Sequence, residues 1–217
     1  MPDFFPESWS LSVEEFSYIL LPFFLLGCGL VFRPQNKPRF FILTVFVLIA
    51  ISMIAKLLFH QQTHNTDIAV WNASLKSVVL YRLDAIFIGV ACSWLSVHFQ
   101  SLWMKYRKLL AGIGFLYICF LFAGIGYFRL LIDSQPLFWN VCYLPLVSLA
   151  IALFLPLLSG WKKWDSRLSR PITFISIISY SMYLLHYSLI LQLMKNNFPM
   201  AASNGLQLHL FTAAYIF

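Results

Sequence analysis

No charged residue interrupts the chain from Phe16 to Phe32, and none from Leu109 to Phe128. Runs of that length reach or approach the ~20 apolar residues that a helix needs to cross a bilayer. The alternating polar and apolar pattern of a membrane β-barrel is absent, so the runs are predicted to be helices, which satisfy every backbone group internally. The balance of the chain agrees. It is 60% hydrophobic and 11% charged, where a soluble domain carries about 25% charge. The expected fold class is all-α: a polytopic transmembrane helix bundle. Its 217 residues leave no room for a separate soluble domain.

The apolar runs divide the chain into six full spans and part of a seventh. Span one runs from about Ser12 to Phe32, span two from Phe40 to Phe59, and span three from Lys76 to His98. Span four is Leu109 to Phe128, span five Leu137 to Leu158, and span six Ile172 to Met194. The tail beyond Asn196 holds no Asp, Glu, Lys or Arg, and its end reads as the start of a seventh span. Both ends of the chain look cut, as in a fragment of a longer polytopic protein.

Three short basic turns separate alternate spans. Arg33, Lys37 and Arg39 form the first, Lys105, Arg107 and Lys108 the second, and Lys162, Lys163, Arg167 and Arg170 the third. The remaining loops are poor in Lys and Arg. The positive-inside rule therefore places the three turns in the cytoplasm, and the Glu14–Glu15 end and the His60–Ser74 loop on the far side. The same pattern explains the net charge of +7 and leaves no reason to infer nucleic-acid binding. Cys28, Cys92, Cys119 and Cys142 each lie in a different apolar run and read as small apolar residues, with no metal or disulfide pattern. Ala85, Gly89 and Ser93, four apart, read as a packing row for close helix approach.

Ionisable residues in or beside spans are the candidates for function, because charge in hydrocarbon is costly. Glu14 and Glu15 stand where span one begins. Ser12 and Glu15 fit a capping box, with Ser12 as N-cap and Glu15 at N3. Glu14 does not fit it; it shares a helix face with Leu11 and Tyr18. Arg82 and Asp84 open span three about 200° apart on a helix. Each either snorkels to the interface or needs a partner elsewhere. In span six Ser179, Tyr183 and His186 share one stripe, as expected of a face turned to the bundle interior. His60 and His64 are spaced for a metal face, but only Asp67 stands near as a third ligand. A solvated loop is the preferred reading, and no metal is expected.

Three blocks resemble the acyltransferase-3 family of membrane O-acyltransferases, the O-antigen acetylase type. In the stretch WSLSVEEFSYILLP, the residues Trp9, Ser10, Leu11, Ser12, Val13, Glu14, Glu15, Tyr18 and Pro22 match the family's signature; Phe16 and Ser17 depart from its usual Gln and Phe. In YRLDAIFIG, Arg82, Asp84 and Gly89 match a second block. In ISYSMYLLHYS, the residues Ile178 to Ser181, Tyr183, Leu184 and His186 match a third, with Ser188 in place of a Pro. Residues 1–217 then form a single integral membrane acyltransferase-like domain.

The resemblance implies transfer of an acyl group, commonly acetyl from acetyl-CoA, to a hydroxyl of a cell-envelope carbohydrate. Acyl-CoA is a co-substrate and no cofactor is bound. The setting it implies is the plasma (inner) membrane of a bacterium. Glu14, Glu15 and His186 are then the expected catalytic or catalysis-supporting residues. Trp9, Ser10, Ser12, Tyr18, Arg82, Asp84, Ser179 and Tyr183 are the expected contacts to substrate or acyl-CoA. In the family the His taken as general base lies in spans upstream of the first block, so this chain alone is expected to be inactive. The alternative is a transporter or exporter of carbohydrate or acyl groups, which intramembrane charge also suits. Inverted or parallel repeats, common in transporters, are not visible between the halves of the sequence.

Overall fold

The computed structural model describes residues 8–127, 129–160 and 169–185. Residues 9–162 form one compact unit, and residues 1–8 with 163–217 a second. All the elements of the described residues are helical: α1 (Ser8–Phe32), α2 (Lys37–Thr63), α3 (Ile68–Trp71), α4 (Leu83–His98), α5 (Gln100–Lys105), α6 (Arg107–Gly126), α7 (Tyr143–Ala152), α8 (Leu155–Ser159) and α9 (Ser169–Leu185). A π-turn over Asn72–Lys76 and a 3-10 turn over Val79–Tyr81 precede α4, and a second π-turn over Phe138–Cys142 leads into α7.

Among the described residues, four stretches are long and apolar enough to cross a membrane: Trp9–Phe32, Lys37–Thr63, Arg107–Gly126 and Phe138–Ser159. That is fewer than the six and a fraction expected. Span three is not one continuous helix. Its first third is the π-turn and the 3-10 turn, and α4 itself has 16 residues, about 24 Å at 1.5 Å per residue against a ~30 Å hydrocarbon core. Span six begins with α9 in the second unit; its remainder and the seventh span lie outside the described residues.

Local sequence explains the ends. Asn36 caps α2 by accepting the Arg39 N–H at 3.1 Å, and Pro38 occupies the first turn, where a missing N–H costs nothing. His64 ends α2 in a left-handed conformation at φ 42°. Asp67 then caps α3 through the Ala69 N–H at 2.8 Å. The capping box is a different matter. Helix α1 is already in progress at Ser8, so Ser12 is its fifth residue and not its N-cap. Glu15 lies within the helix and is exposed. Ser8, Trp9, Ser10 and Leu11 are already helical, so the helix begins before the position where the local signal would have started it.

The core of the first unit lies between α2 and α4. Val45 and Leu48 of α2 pack against Leu83, Phe87 and Ala91 of α4, with Leu20, Leu21 and Phe24 of α1 alongside. The 4-residue spacing of Leu83, Phe87 and Ala91 lays them along one helix face. A second cluster holds Trp71, Leu75, Ile132 and Leu144. Large side chains such as Phe23, Leu30 and Phe122 stay exposed, as lipid-facing residues do. In lipid, helix association rests on close packing. Gly114 provides it: a Cβ there would meet Leu153 Cβ and Phe154 Cε2 at 3.0 Å. Gly89 does not, since a Cβ there meets nothing described within 4 Å. The Ala85–Gly89–Ser93 row is therefore not the packing face; α4 packs through Leu83, Phe87 and Ala91.

Candidate functional site

Helix α2 carries a polar row at every fourth position: Ser52, Lys56, His60 and His64. Such residues stack on one face, and each of the first three finds a partner across the bundle. The Ser52 hydroxyl donates to the Leu80 carbonyl at 2.9 Å. Lys56 Nζ donates to Asp84 Oδ2 at 2.7 Å. His60 Nδ1 lies 3.2 Å from Asn140 Nδ2. These contacts join the C-terminal half of α2 to the approach to α4 and to the π-turn before α7.

Lys56 is 0% exposed and Asp84 1%. An ion pair so deeply buried is held by geometry, because desolvation of both charges opposes it. Asp84 Oδ1 is buried and has no hydrogen-bond partner among the described residues. Asn140 is also fully buried. Its Nδ2 donates to the Asn65 carbonyl at 3.0 Å, and its Oδ1 is unpartnered. Asn65 and Asp67 brace each other, Asn65 Nδ2 donating to the Asp67 carbonyl at 3.1 Å and the Asp67 N–H to Asn65 Oδ1 at 3.0 Å.

Trp9, at the start of α1, reaches the same end of the bundle. Lys76 Nζ lies 5.9 Å from the centroid of its ring and Arg82 Cζ 6.0 Å. Both distances are within the range of cation–π attraction. Next to this group is an aromatic cluster. The Trp71 indole N–H donates to the Trp139 carbonyl at 2.9 Å, the Trp139 N–H to the Leu130 carbonyl at 2.7 Å, and the Trp139 and Tyr143 rings stack at 4.5 Å. The opposite end of the unit holds an apolar cavity of about 520 Å³ between α4, α5, α6 and α7, with Cys92, Phe99, Trp103 and Leu149 in its wall. There the Trp103 N–H donates to the Ser159 hydroxyl at 3.0 Å.

The structure thus brings together Trp9, Arg82 and Asp84, which the sequence had placed in two separate blocks. It corrects the interfacial alternative for Asp84, which is buried and paired. Arg82 is half-buried and beside Trp9. Glu14 accepts a hydrogen bond from the Tyr18 hydroxyl at 2.7 Å, on the face anticipated for it. Ser10 and Ser12 lie in the first two turns of α1. Ser179 donates to the Ser176 carbonyl at 2.7 Å on α9 in the second unit. Tyr183 is on the same helix, and His186 lies outside the described residues. His60 and His64 approach edge to face at 5.8 Å. Of the two, His64 is exposed, whereas His60 is half-buried and joined to Asn140. The solvated-loop reading therefore holds for His64 alone. Among the described residues, no three His, Cys, Asp or Glu side chains form a metal-binding group.

Sequence reasoning missed Lys56 and Asn140. Lys56 had a signal: it is the one charged residue between Phe40 and Phe59, and a charge within a span calls for a partner. Asn140 had none beyond its place among aromatic residues.

Membrane-length helices around a core crossed by a buried ion pair make this an integral membrane protein of the helical class. Residues 1–217 match the family model described as an acyltransferase domain, and the chain belongs to the acyltransferase-3 family. Comparison with curated proteins and with solved structures gives no match. The family is one of membrane acyltransferases, so a transferase activity follows from membership.

Proposed function

We propose that the protein transfers an acyl group, commonly acetyl, from acyl-CoA to a hydroxyl of a cell-envelope carbohydrate in the inner membrane of a bacterium. The observation that supports this most is the meeting of Trp9 with Arg82, 73 positions apart in the chain, at 6.0 Å. Two blocks that carry the family resemblance form one site at one end of the bundle. In the reaction the acceptor hydroxyl oxygen attacks the thioester carbonyl carbon, the C–S bond breaks, and the hydroxyl proton passes to a base. Arg82 offers a planar fork of donors to an oxyanion. Glu14, tied to Tyr18, orients or polarises a partner, and Glu15 assists at the same helix end. His186 serves as a secondary proton-transfer or binding group. Trp9, Ser10, Ser12, Asp84, Ser179 and Tyr183 line or support the substrate and acyl-CoA sites.

The site is read as non-cytoplasmic. The turns Arg33–Arg39 and Lys105–Lys108 fall at the opposite end, since α1, α2 and α4 alternate in direction. Impermeant-thiol labelling of Thr66→Cys, in a background lacking the four native cysteines, tests this. Thr66 is exposed, whereas its neighbour Asn65 is buried. Labelling of intact cells is expected; labelling only after the membrane is opened reverses the topology.

The activity test is transfer of labelled acetyl from acetyl-CoA to envelope polysaccharide in membranes that carry the protein. Transfer is expected where the upstream histidine that the family resemblance implies is also supplied, with loss in Arg82→Lys because a point charge cannot reproduce the fork. Arg82→Lys activity equal to the parent's reduces Arg82 to an anchor. Absence of transfer combined with uptake or export of the saccharide establishes the transporter reading instead.

A further inference from the structure

We infer that Lys76, Arg82 and Trp9 form a binding site for the acidic group, carboxylate or phosphate, of a saccharide acceptor. The inference rests on the acyl-transfer reading and narrows it to acceptors that carry negative charge. Two cations converge on one indole ring, at 5.9 and 6.0 Å from its centroid. Like charges repel, and among the described residues neither cation forms an ion pair, although the charge of Asp84 acts on Arg82. Asp84, two residues from Arg82, is bound by Lys56. Glu14 is bound by the Tyr18 hydroxyl and forms no described ion pair. At this end of the bundle Lys56 and Asp84 neutralise each other, and Lys76 and Arg82 form no described ion pair with Glu14 or Glu15 of the helix that carries Trp9.

The backbone that presents the two cations is unusual. Lys76 closes the π-turn Asn72–Lys76, and Arg82 stands between the 3-10 turn and α4. π-turns are rare and concentrate at functional sites. Irregular backbone at membrane depth persists where it is buried in protein or lines a wet cavity. Arg82 is also the N-cap of α4 and makes no side-chain capping bond. A simple interfacial anchor needs none of this: one Lys or Arg reaching headgroups does so from a regular helix end.

The remaining feature favours a saccharide as the bearer of the charge. The Trp9 ring is a surface on which a sugar can stack. The two cations require the acid.

The test uses the intact protein in phosphatidylcholine nanodiscs, titrated calorimetrically with trigalacturonate, maltotriose and 3′-phosphoadenosine 5′-diphosphate, the phosphate-bearing part of CoA. Trigalacturonate is expected to bind, to weaken with added salt, and to weaken about tenfold in Lys76→Gln and in Arg82→Gln, a single lost charge contact. Maltotriose binding is expected to be unchanged by Lys76→Gln. Trigalacturonate affinity equal in parent and variants overturns the site. So does a loss confined to the adenosine diphosphate, which assigns the cations to CoA. Acetyl transfer to both saccharides separates the two readings. Transfer to maltotriose and trigalacturonate alike, insensitive to Lys76→Gln, keeps the acyltransferase and removes the acid preference. Charge-dependent trigalacturonate binding without transfer to any acceptor keeps the site and removes the acyltransferase.

Discussion

Helices α1 and α2 are both long, apolar and opened by polar residues, yet they treat charge in opposite ways. α1 carries Glu14 and Glu15 near its start. Glu14 is half-buried, Glu15 is exposed, and the one described contact of Glu14 is Tyr18 on the same helix. α2 carries Lys56, which is completely buried and held by Asp84 of α4. Of the signature carboxylates, Glu14 is thus satisfied within its own helix while Asp84 ties the bundle together through Lys56, which stands outside any signature. In a membrane, a buried charge fixes which helices meet and in what register. A charge at the helix end stays available for a ligand.

The comparison is broken most severely at Lys56. Lys56→Met leaves Asp84 as an uncompensated buried charge, and loss of one partner of a buried pair costs ~3–5 kcal/mol. A large drop in thermal unfolding temperature in detergent is the expected outcome. The double variant Lys56→Met/Asp84→Leu recovers most of it, because two apolar groups of similar volume replace the pair. A double variant no more stable than the single one would show that the pair is not the source of the effect.

Much of this division could be read from the sequence, and the part that could not has a physical cause. Charge-free runs mark helices because hydrocarbon length is fixed, so α1, α2, α6 and the 138–159 stretch stood at nearly the expected places. Span three misled because hydropathy does not register backbone geometry: Lys76 to Arg82 is apolar enough to read as helix and instead closes a π-turn and passes through a 3-10 turn. The capping box misled because S-x-x-E is a local signal that a preceding helix-compatible segment overrides. Trp9 and Arg82 were recognisable as separate motifs. Their contact depends on the antiparallel path of α1, α2 and α4, which no local pattern encodes.

Packing and polar contacts away from the ion pair sharpen the contrast with smaller effects. Gly114→Leu inserts a side chain where Leu153, Phe154 and the Ala150 carbonyl already stand at 3.0 to 3.1 Å from the Cβ position. Overpacking of this kind costs ~1–3 kcal/mol; Gly89→Leu, facing open space, is expected to be near neutral by the same melting assay. Asn140→Ala removes the bond to the Asn65 carbonyl and the contact with His60. Its cost is ~1 kcal/mol, at the low end for a buried hydrogen bond, because the variant also removes the unpartnered Oδ1.

The smallest stability effects belong to the helix that carries the signature. Glu15 is exposed and lies inside α1 rather than in a cap, so Glu15→Gln is expected to move stability by less than ~0.5 kcal/mol, as surface substitutions do. Glu14→Gln keeps a group that accepts from the Tyr18 hydroxyl and falls in the same range. Activity separates the two measurements. If Glu14 orients or polarises a partner in the transfer, Glu14→Gln abolishes labelled-acetyl transfer while the amount of folded protein in the membrane is unchanged. Full transfer by Glu14→Gln makes the Glu14–Tyr18 pair a surface contact of α1. A large loss of folded protein in Glu15→Gln would instead show that the start of α1 depends on Glu15, and would restore to it the folding role that a helix beginning at Ser8 removes.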